Sequence, residues 1–334
     1  MKKAWTIAGA ALLGMLASAV GWAQDDGGGA AADAAAVAVK PMPAEIMPLT
    51  PRSLLLGVEN TGEHLIAVGD RGAIIVSNDG KNWAQVDVPV RSALTSVAFA
   101  DGQHGWAAGH DAAIVHTDDG GKTWKLQNFQ PELEKPVLDL LALDAQHGIA
   151  TGAYGLLLET KDGGQTWNTV DSHGFDEDEL HLNSIGKLNN GDLMIAGEQG
   201  LLAISTDGGA TWTKQASPYE GSYFGVLPHG DKGAMIFGLR GNVYVSDDAR
   251  GGKWTALNTG TVASMFGGAA IPGDGNVLVG LNGVIMVVSK DDEVQLLRSP
   301  DGTPLSGVVP YGDDVFLAVG ESGVQPIAVK ALSH

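Results

Sequence analysis

A module of 40 to 45 residues returns seven times along this chain, and nothing else in the sequence restricts the fold so sharply. In each copy an apolar strand ends in glycine, and a second apolar strand starts two or three residues later. That strand runs into an acidic, glycine-bearing turn, often followed by tryptophan. The leading glycines are Gly69, Gly109, Gly152, Gly197, Gly238, Gly280 and Gly320, at intervals of 40, 43, 45, 41, 42 and 40 residues. Such a period fits a four-stranded propeller blade. One copy shows all four strands: Leu94 to Ala98, Trp106 to Ala108, Ala112 to Thr117 and Thr123 to Gln127. Innermost strands are expected near Leu54, Leu94, Leu138, Asn183, Tyr223, Met265 and Leu305. The expected fold is therefore all-β, a seven-bladed propeller of four-stranded antiparallel blades.

The seventh copy ends without an outer strand, and Ala44 to Leu49 precedes the first inner strand with no other partner. The segment is expected to complete the last blade, closing the ring by an N-terminal strand and removing an exposed sheet edge.

The N-terminus reads as an export signal. Lys2 and Lys3 precede an apolar or small-residue run from Ile7 to Val20, with cleavage expected after Ala19 or Ala23. The run is shorter than the roughly 20 residues of a spanning helix, which separates it from a membrane anchor. The expected organisation is a signal peptide over 1–23, a flexible tether over 24–43 rich in Asp, Gly, Ala and Pro, and the propeller over 44–334. An exported chain of this kind is expected in the periplasm or secreted. With no cysteine, the chain can form neither a disulfide nor a lipidated cysteine anchor. Loss of Lys2 and Lys3 takes the formal charge from −19 to −21, which repels nucleic acid and anionic lipid.

The turns carry Ser/Thr-x-Asp-x-Gly-x-Thr-Trp, the Asp-box of the bacterial neuraminidase repeat. Its residues are Asp79 with Trp83, Asp119 with Trp124, Asp162 with Trp167, Asp207 with Trp212, and Trp254 in a fifth, interrupted copy. Chemistry explains the pattern as a folding device: glycine supplies unusual backbone angles, Asp and Ser or Thr bond turn amides, and tryptophan wedges between blades. The competing reading makes these aspartates calcium ligands or acids.

Together these elements resemble the photosystem II stability and assembly factor family over roughly Leu49 to Val329. The resemblance implies a non-enzymatic helper that binds membrane-protein subunits. In non-photosynthetic bacteria it suggests an envelope protein linked to transporters of the resistance-nodulation-division type. The sixth and seventh boxes depart from the family pattern. Asp-boxes also occur in sialidases, so a glycan-binding or glycoside-hydrolase propeller stands as the alternative.

Strand alternation puts the Asp-boxes on one face and the Gly-x-x-Gly turns on the other. Five of six arginines map to the Gly-x-x-Gly face: Arg52, Arg71, Arg91, Arg240 and Arg298; Arg250 maps opposite. Arginine's fork suits carboxylates, so these residues with Tyr154 are the candidate partner-binding set. The competing reading pairs them with local acids such as Asp70 and Glu59. A sialidase needs three arginines, a tyrosine nucleophile and a nearby acid, and Tyr154 falls across the ring from the arginines. Asp176 to Glu179 with His173 and His181 reads as a solvated acidic loop or a weak cation site. No phosphate loop, zinc-protease or serine-hydrolase motif is present, so no cofactor, metal or catalytic residue is expected. The expected partner is a membrane-protein subunit or another envelope protein, with the propeller itself monomeric.

Overall fold

The computed structural model describes residues 39–171, 179–271, 275–312 and 315–328. The predicted signal peptide, most of the tether, and His173 with Asp176, Glu177 and Asp178 lie outside the described residues. Among those described, no helix is long and apolar enough to cross a membrane.

Seven antiparallel sheets follow one another, each a simple meander. The second blade is representative: Leu94–Phe99, Gly105–Gly109, Ile114–Thr117 and Lys125–Asn128. Innermost strands are Leu55–Asn60, Leu94–Phe99, Val137–Ala142, Ser184–Lys187, Tyr223–His229, Met265–Ile271 and Leu305–Pro310. Second strands such as Leu65–Gly69 and Gly148–Gly152 are buried at every residue, because both faces of each sheet meet a neighbouring blade.

The core is consequently divided into inter-blade layers rather than gathered into one centre. Ile66 and Val68 of blade one pack on Val97, Val115 and Trp124 of blade two. Ile149 and Leu157 of blade three pack on Leu193, Ile195 and Trp212 of blade four. Trp167 joins the layer between blades two and three, Trp254 that between four and five, and Trp83 that between seven and one. Each tryptophan thus fills the gap toward the preceding blade.

Glycine at the end of each second strand answers a close approach. A Cβ on Gly109 would stand 2.0 Å from the carbonyl oxygen of Ala93. Six inner strands carry an extra residue at their start, out of register with the second strand. Bulges re-aim side chains, and these six residues (Leu56, Thr95, Leu138, Phe224, Phe266 and Ser306) all line the central channel.

Closure of the ring differs from the expectation. The seventh sheet holds three strands among the described residues: Leu305–Pro310, Val315–Gly320 and Gly323–Ala328. Ala44 to Leu49 forms no strand and lies along blade one. Ala44 N–H donates to Val88 O (2.9 Å), and Met47 N–H to Gln85 Oε1 (2.9 Å). Gln85 Nε2 donates back to Glu45 O (3.0 Å), so one amide side chain clamps the segment from both sides. Pro41, Pro43 and Pro48 explain why it makes no ladder, since proline has no N–H to give. The outer edge of blade seven is instead blunted by its own Pro326.

Candidate functional site

The Asp-box turns are closed networks. Asp119 Oδ1 accepts from Thr117 Oγ1 (2.8 Å), Lys122 N–H (3.0 Å) and Thr123 N–H (2.9 Å), and its Oδ2 from Thr123 Oγ1 (2.6 Å). Asp162 and Asp207 repeat the pattern with Thr160 and Thr166, and with Ser205 and Thr211. In the first box Asn82 replaces the threonine and donates to Asp79 through its backbone and its amide. The Thr211 hydroxyl and amide bonds hold the Asp207 carboxyl at about 2. Thr166 lowers Asp162 likewise, and the Asn82 and Lys81 amides lower Asp79. These carboxylates are acceptors inside their own turns. No group of three or more potential ligands able to hold a metal occurs among the described residues.

The opposite face is built differently. At the second inner position of five Gly-x-x-Gly turns, and of blade two's Gly109-to-Ala112 turn, stands a non-glycine residue in the left-handed region: Arg71 (φ 54°), Asp111 (φ 60°), Tyr154 (φ 54°), Gln199 (φ 51°), Arg240 (φ 58°) and Asn282 (φ 59°). A left-handed conformation disfavours most side chains, arginine and tyrosine among them. Six of the seven blades nevertheless present one there, exposed in all but blade two, where Asp111 is half-buried.

The five predicted arginines are all exposed, and they follow one another around this face. The Arg52 backbone lies against Gly323 of blade seven's turn. Asp70, which precedes Arg71, donates its N–H to Leu54 O, and Gly72 lies against Arg91. Arg298 Nη1 donates to Asn282 O of blade six's turn (3.3 Å), and Arg240 sits in blade five's turn. The arc therefore runs from blade five through seven and one to the start of blade two.

Local acids take two of the five. Arg91 pairs with Glu45 (2.7 Å), and Arg71 lies 3.7 Å from Asp70. No side-chain bond is made by Arg52 or Arg240 among the described residues. Among the described residues no arginine pairs with Glu59. Glu59 lies near the far end of its strand, where burial pushes its pKa up to about 8. Tyr154 stands apart from the arc in blade three, its ring edge-on to His181 at 4.8 Å. Arg250, on the Asp-box face, grips the buried Asp192 through two 2.6 Å bonds and so ties blade five to blade four.

Between the faces runs a channel with a cavity of ≈380 Å³. Two of the six bulge residues, Thr95 and Ser306, are polar, and each donates to a carbonyl at the start of the next blade's inner strand. Thr95 bonds Val137 O (2.8 Å), and Ser306 bonds Leu55 O (2.6 Å). Asn183, at the equivalent place in blade four, bonds Tyr223 O (2.8 Å). The remaining residues (Leu56, Leu138, Phe224 and Phe266) form an apolar collar at the mouth on the Gly-x-x-Gly face.

Below the collar Asp139 was not anticipated from the sequence. Its carboxylate accepts from Ser96 Oγ (2.9 Å), Ser184 Oγ (2.9 Å), Ile185 N–H (3.0 Å) and Leu140 N–H (2.9 Å), which joins blades two, three and four. Burial raises its pKa despite these four bonds, which pull the other way. The available signal was one acid at an inner-strand position that is glycine or serine in every other blade.

The sequence model of the family described as photosynthesis system II assembly factor YCF48 matches residues 75–135 and 126–297. The photosystem II stability/assembly factor HCF136 of Guillardia theta is 42% identical over 50 residues, 14% of this chain and 13% of that protein. The photosystem II assembly protein Ycf48 of Thermosynechococcus vestitus is 34% identical over 47 residues, 14% of each chain. These alignments span about a seventh of the relatives' own lengths. Among solved structures, YCF48 bound to a D1 peptide superposes with TM-score 0.68 at 18% identity, covering 86% of this chain and 96% of the other. YCF48 from Cyanidioschyzon merolae gives 0.65 at 17% identity, covering 85% and 98%. At such identities the superpositions speak to fold. The family match extends over most of the propeller, from blade one's third strand to blade six's outer strand, and the chain belongs to the photosynthesis system II assembly factor YCF48 family.

Proposed function

We propose that this chain is a non-catalytic assembly or accessory factor, exported by residues 1–23, whose Gly-x-x-Gly face docks a segment of a membrane protein. The observation that carries the reading is the arginine arc, with Arg52 and Arg240 exposed and unpaired among the described residues in a chain of formal charge −19. Two of its members, Arg71 and Arg240, occupy left-handed positions that glycine would fill with less strain. Strain held at a surface turn is more often found where a side chain has work to do there. A structural neighbour that is bound to a D1 peptide supports peptide docking as the mode of action. The finer reading names the partner as a transporter of the resistance-nodulation-division type in a bacterial envelope.

The test is mild crosslinking of the mature protein in its native envelope, followed by identification of what is recovered. Recovery of a membrane transporter subunit is expected, with loss in a folded variant carrying R52A, R71A, R91A and R298A. Unchanged recovery by that variant removes the arginines from the proposal. Turnover on a sialoside panel would replace it with the hydrolase alternative.

A further inference from the structure

The arginine arc does not account for the apolar surface beside it. Val262, in the loop between blades five and six, is 85% exposed, Leu281 38% and Phe266 36%. Hydrogen bonds hold these residues in one strip. Leu281 N–H donates to Ser264 O (2.9 Å), and Arg240 N–H donates to Ser264 Oγ (3.2 Å). The segment carrying Val262 and Phe266 is thus stitched between the turns of blades five and six. Phe266 continues inward to Phe224, their rings 5.6 Å apart, at the collar of the axial channel. The strip leads from the outer rim to a recess at the centre.

Cations stand on both sides. Arg240 belongs to the turn on one flank. Arg298, through its bond to Asn282 O, stands beside Leu281 on the other. Exposed apolar surface bounded by charge is the anatomy of an interaction site.

We propose that this strip binds a polypeptide segment carrying large apolar side chains flanked by acidic residues, with one apolar side chain seated in the channel mouth. The inference rests on the reading that the Gly-x-x-Gly face docks a partner, and adds a second locus to it. Charge complementarity to Arg240 and Arg298 selects the acidic flanks. An anionic membrane surface fits less well, because the chain's formal charge of −19 opposes approach as a whole body. The recess at Phe224 and Phe266 matches a protruding side chain better than a flat headgroup layer.

The probe is a fluorescein-labelled synthetic nonapeptide with two leucines and one phenylalanine between terminal aspartates. Its control carries alanine at the three apolar positions. Fluorescence anisotropy with the full mature chain is expected to show binding of the first and not of the second. The V262S/L281S variant is expected to lose about tenfold in affinity, a typical effect of removing an apolar anchor. Val262 is 85% exposed, so V262S alone should keep the wild-type urea midpoint, and L281S, at a side chain 38% exposed, should lower it only slightly. The R52A/R71A/R91A variant, altered only on the far part of the arc, is expected to keep peptide binding. Equal binding of both peptides, or wild-type affinity in V262S/L281S, overturns the strip. Retention there with loss in the arginine variant overturns the strip while leaving the docking face standing. Two further controls also decide against it: dimerisation in sedimentation that V262S/L281S abolishes, or binding to phosphatidylglycerol vesicles without peptide binding.

Discussion

Replacing Arg71 and Arg240 by glycine should make this protein more stable. Both hold left-handed backbone, at φ 54° and 58°. For an L-residue that conformation costs roughly 1–2 kcal/mol, which glycine avoids. Glycine adds freedom to the unfolded chain, a counter-effect of roughly 0.5–1 kcal/mol. The balance favours glycine by roughly 0.5–1 kcal/mol at each site. Little is lost with the side chains. Arg71 is 68% exposed and 3.7 Å from an exposed Asp70, and such surface pairs contribute little. Arg240 has no side-chain partner among the described residues. The double variant R71G/R240G should therefore gain roughly 1–2 kcal/mol, an increase of up to about 1 M in urea midpoint at the slopes usual for proteins. R71A/R240A is the control, because alanine meets the same left-handed penalty and should stay within about 0.5 kcal/mol of wild type. A glycine variant no more stable than the alanine variant would refute the strain argument. Under the proposed function both variants should bind the partner less well, so stability and binding would move in opposite directions.

Raising the pH from about 4.5 to about 8 should weaken the fold through Glu59. Its folded pKa, near 8, lies above its ordinary value, so its contribution is complete below the ordinary value and lost as pH rises through the folded one. E59Q should flatten this slope and exceed wild type at pH 8.5 by on the order of 2–4 kcal/mol, read from urea midpoints at several pH values. D139A leaves the Leu140 and Ile185 amides without an acceptor, and should cost roughly 2–3 kcal/mol at pH 7 in the same assay; a neutral result would deny the three-blade tie. Q85A removes the clamp on residues 44–50, and limited proteolysis should cut there faster with the urea midpoint little changed.

The repeat period made the seven sheets, their order and their two faces legible, because each module writes its turns in glycine and aspartate. Closure was misread for a physical reason. An unpaired edge looks as though it must be covered, yet Pro326 already leaves it short of a donor, and the prolines around Ala44 spoil that segment as a strand. The arginine face was legible from turn positions, but the strain was not. Gly-x-x-Gly does not say which of its inner residues turns left-handed. Asp139 escaped notice because a lone acid in Val137-Leu138-Asp139-Leu140-Leu141 reads as an ordinary strand residue, and its three-blade bonding exists only once the inner strands converge.

The seam between the last and first blades follows from that unshared sheet. In a propeller whose termini share a blade, opening the ring means stripping a strand from its ladder. Among the described residues here, no ladder spans the seam. Ser306 to Leu55 O, Asn60 to Pro310 O (2.8 Å) and the apolar layers around Val319 and Leu317 hold it. In mechanical terms the molecule is a split washer rather than a welded ring. Any load borne on its axis would be relieved first between blades seven and one, where Arg52 sits across the gap.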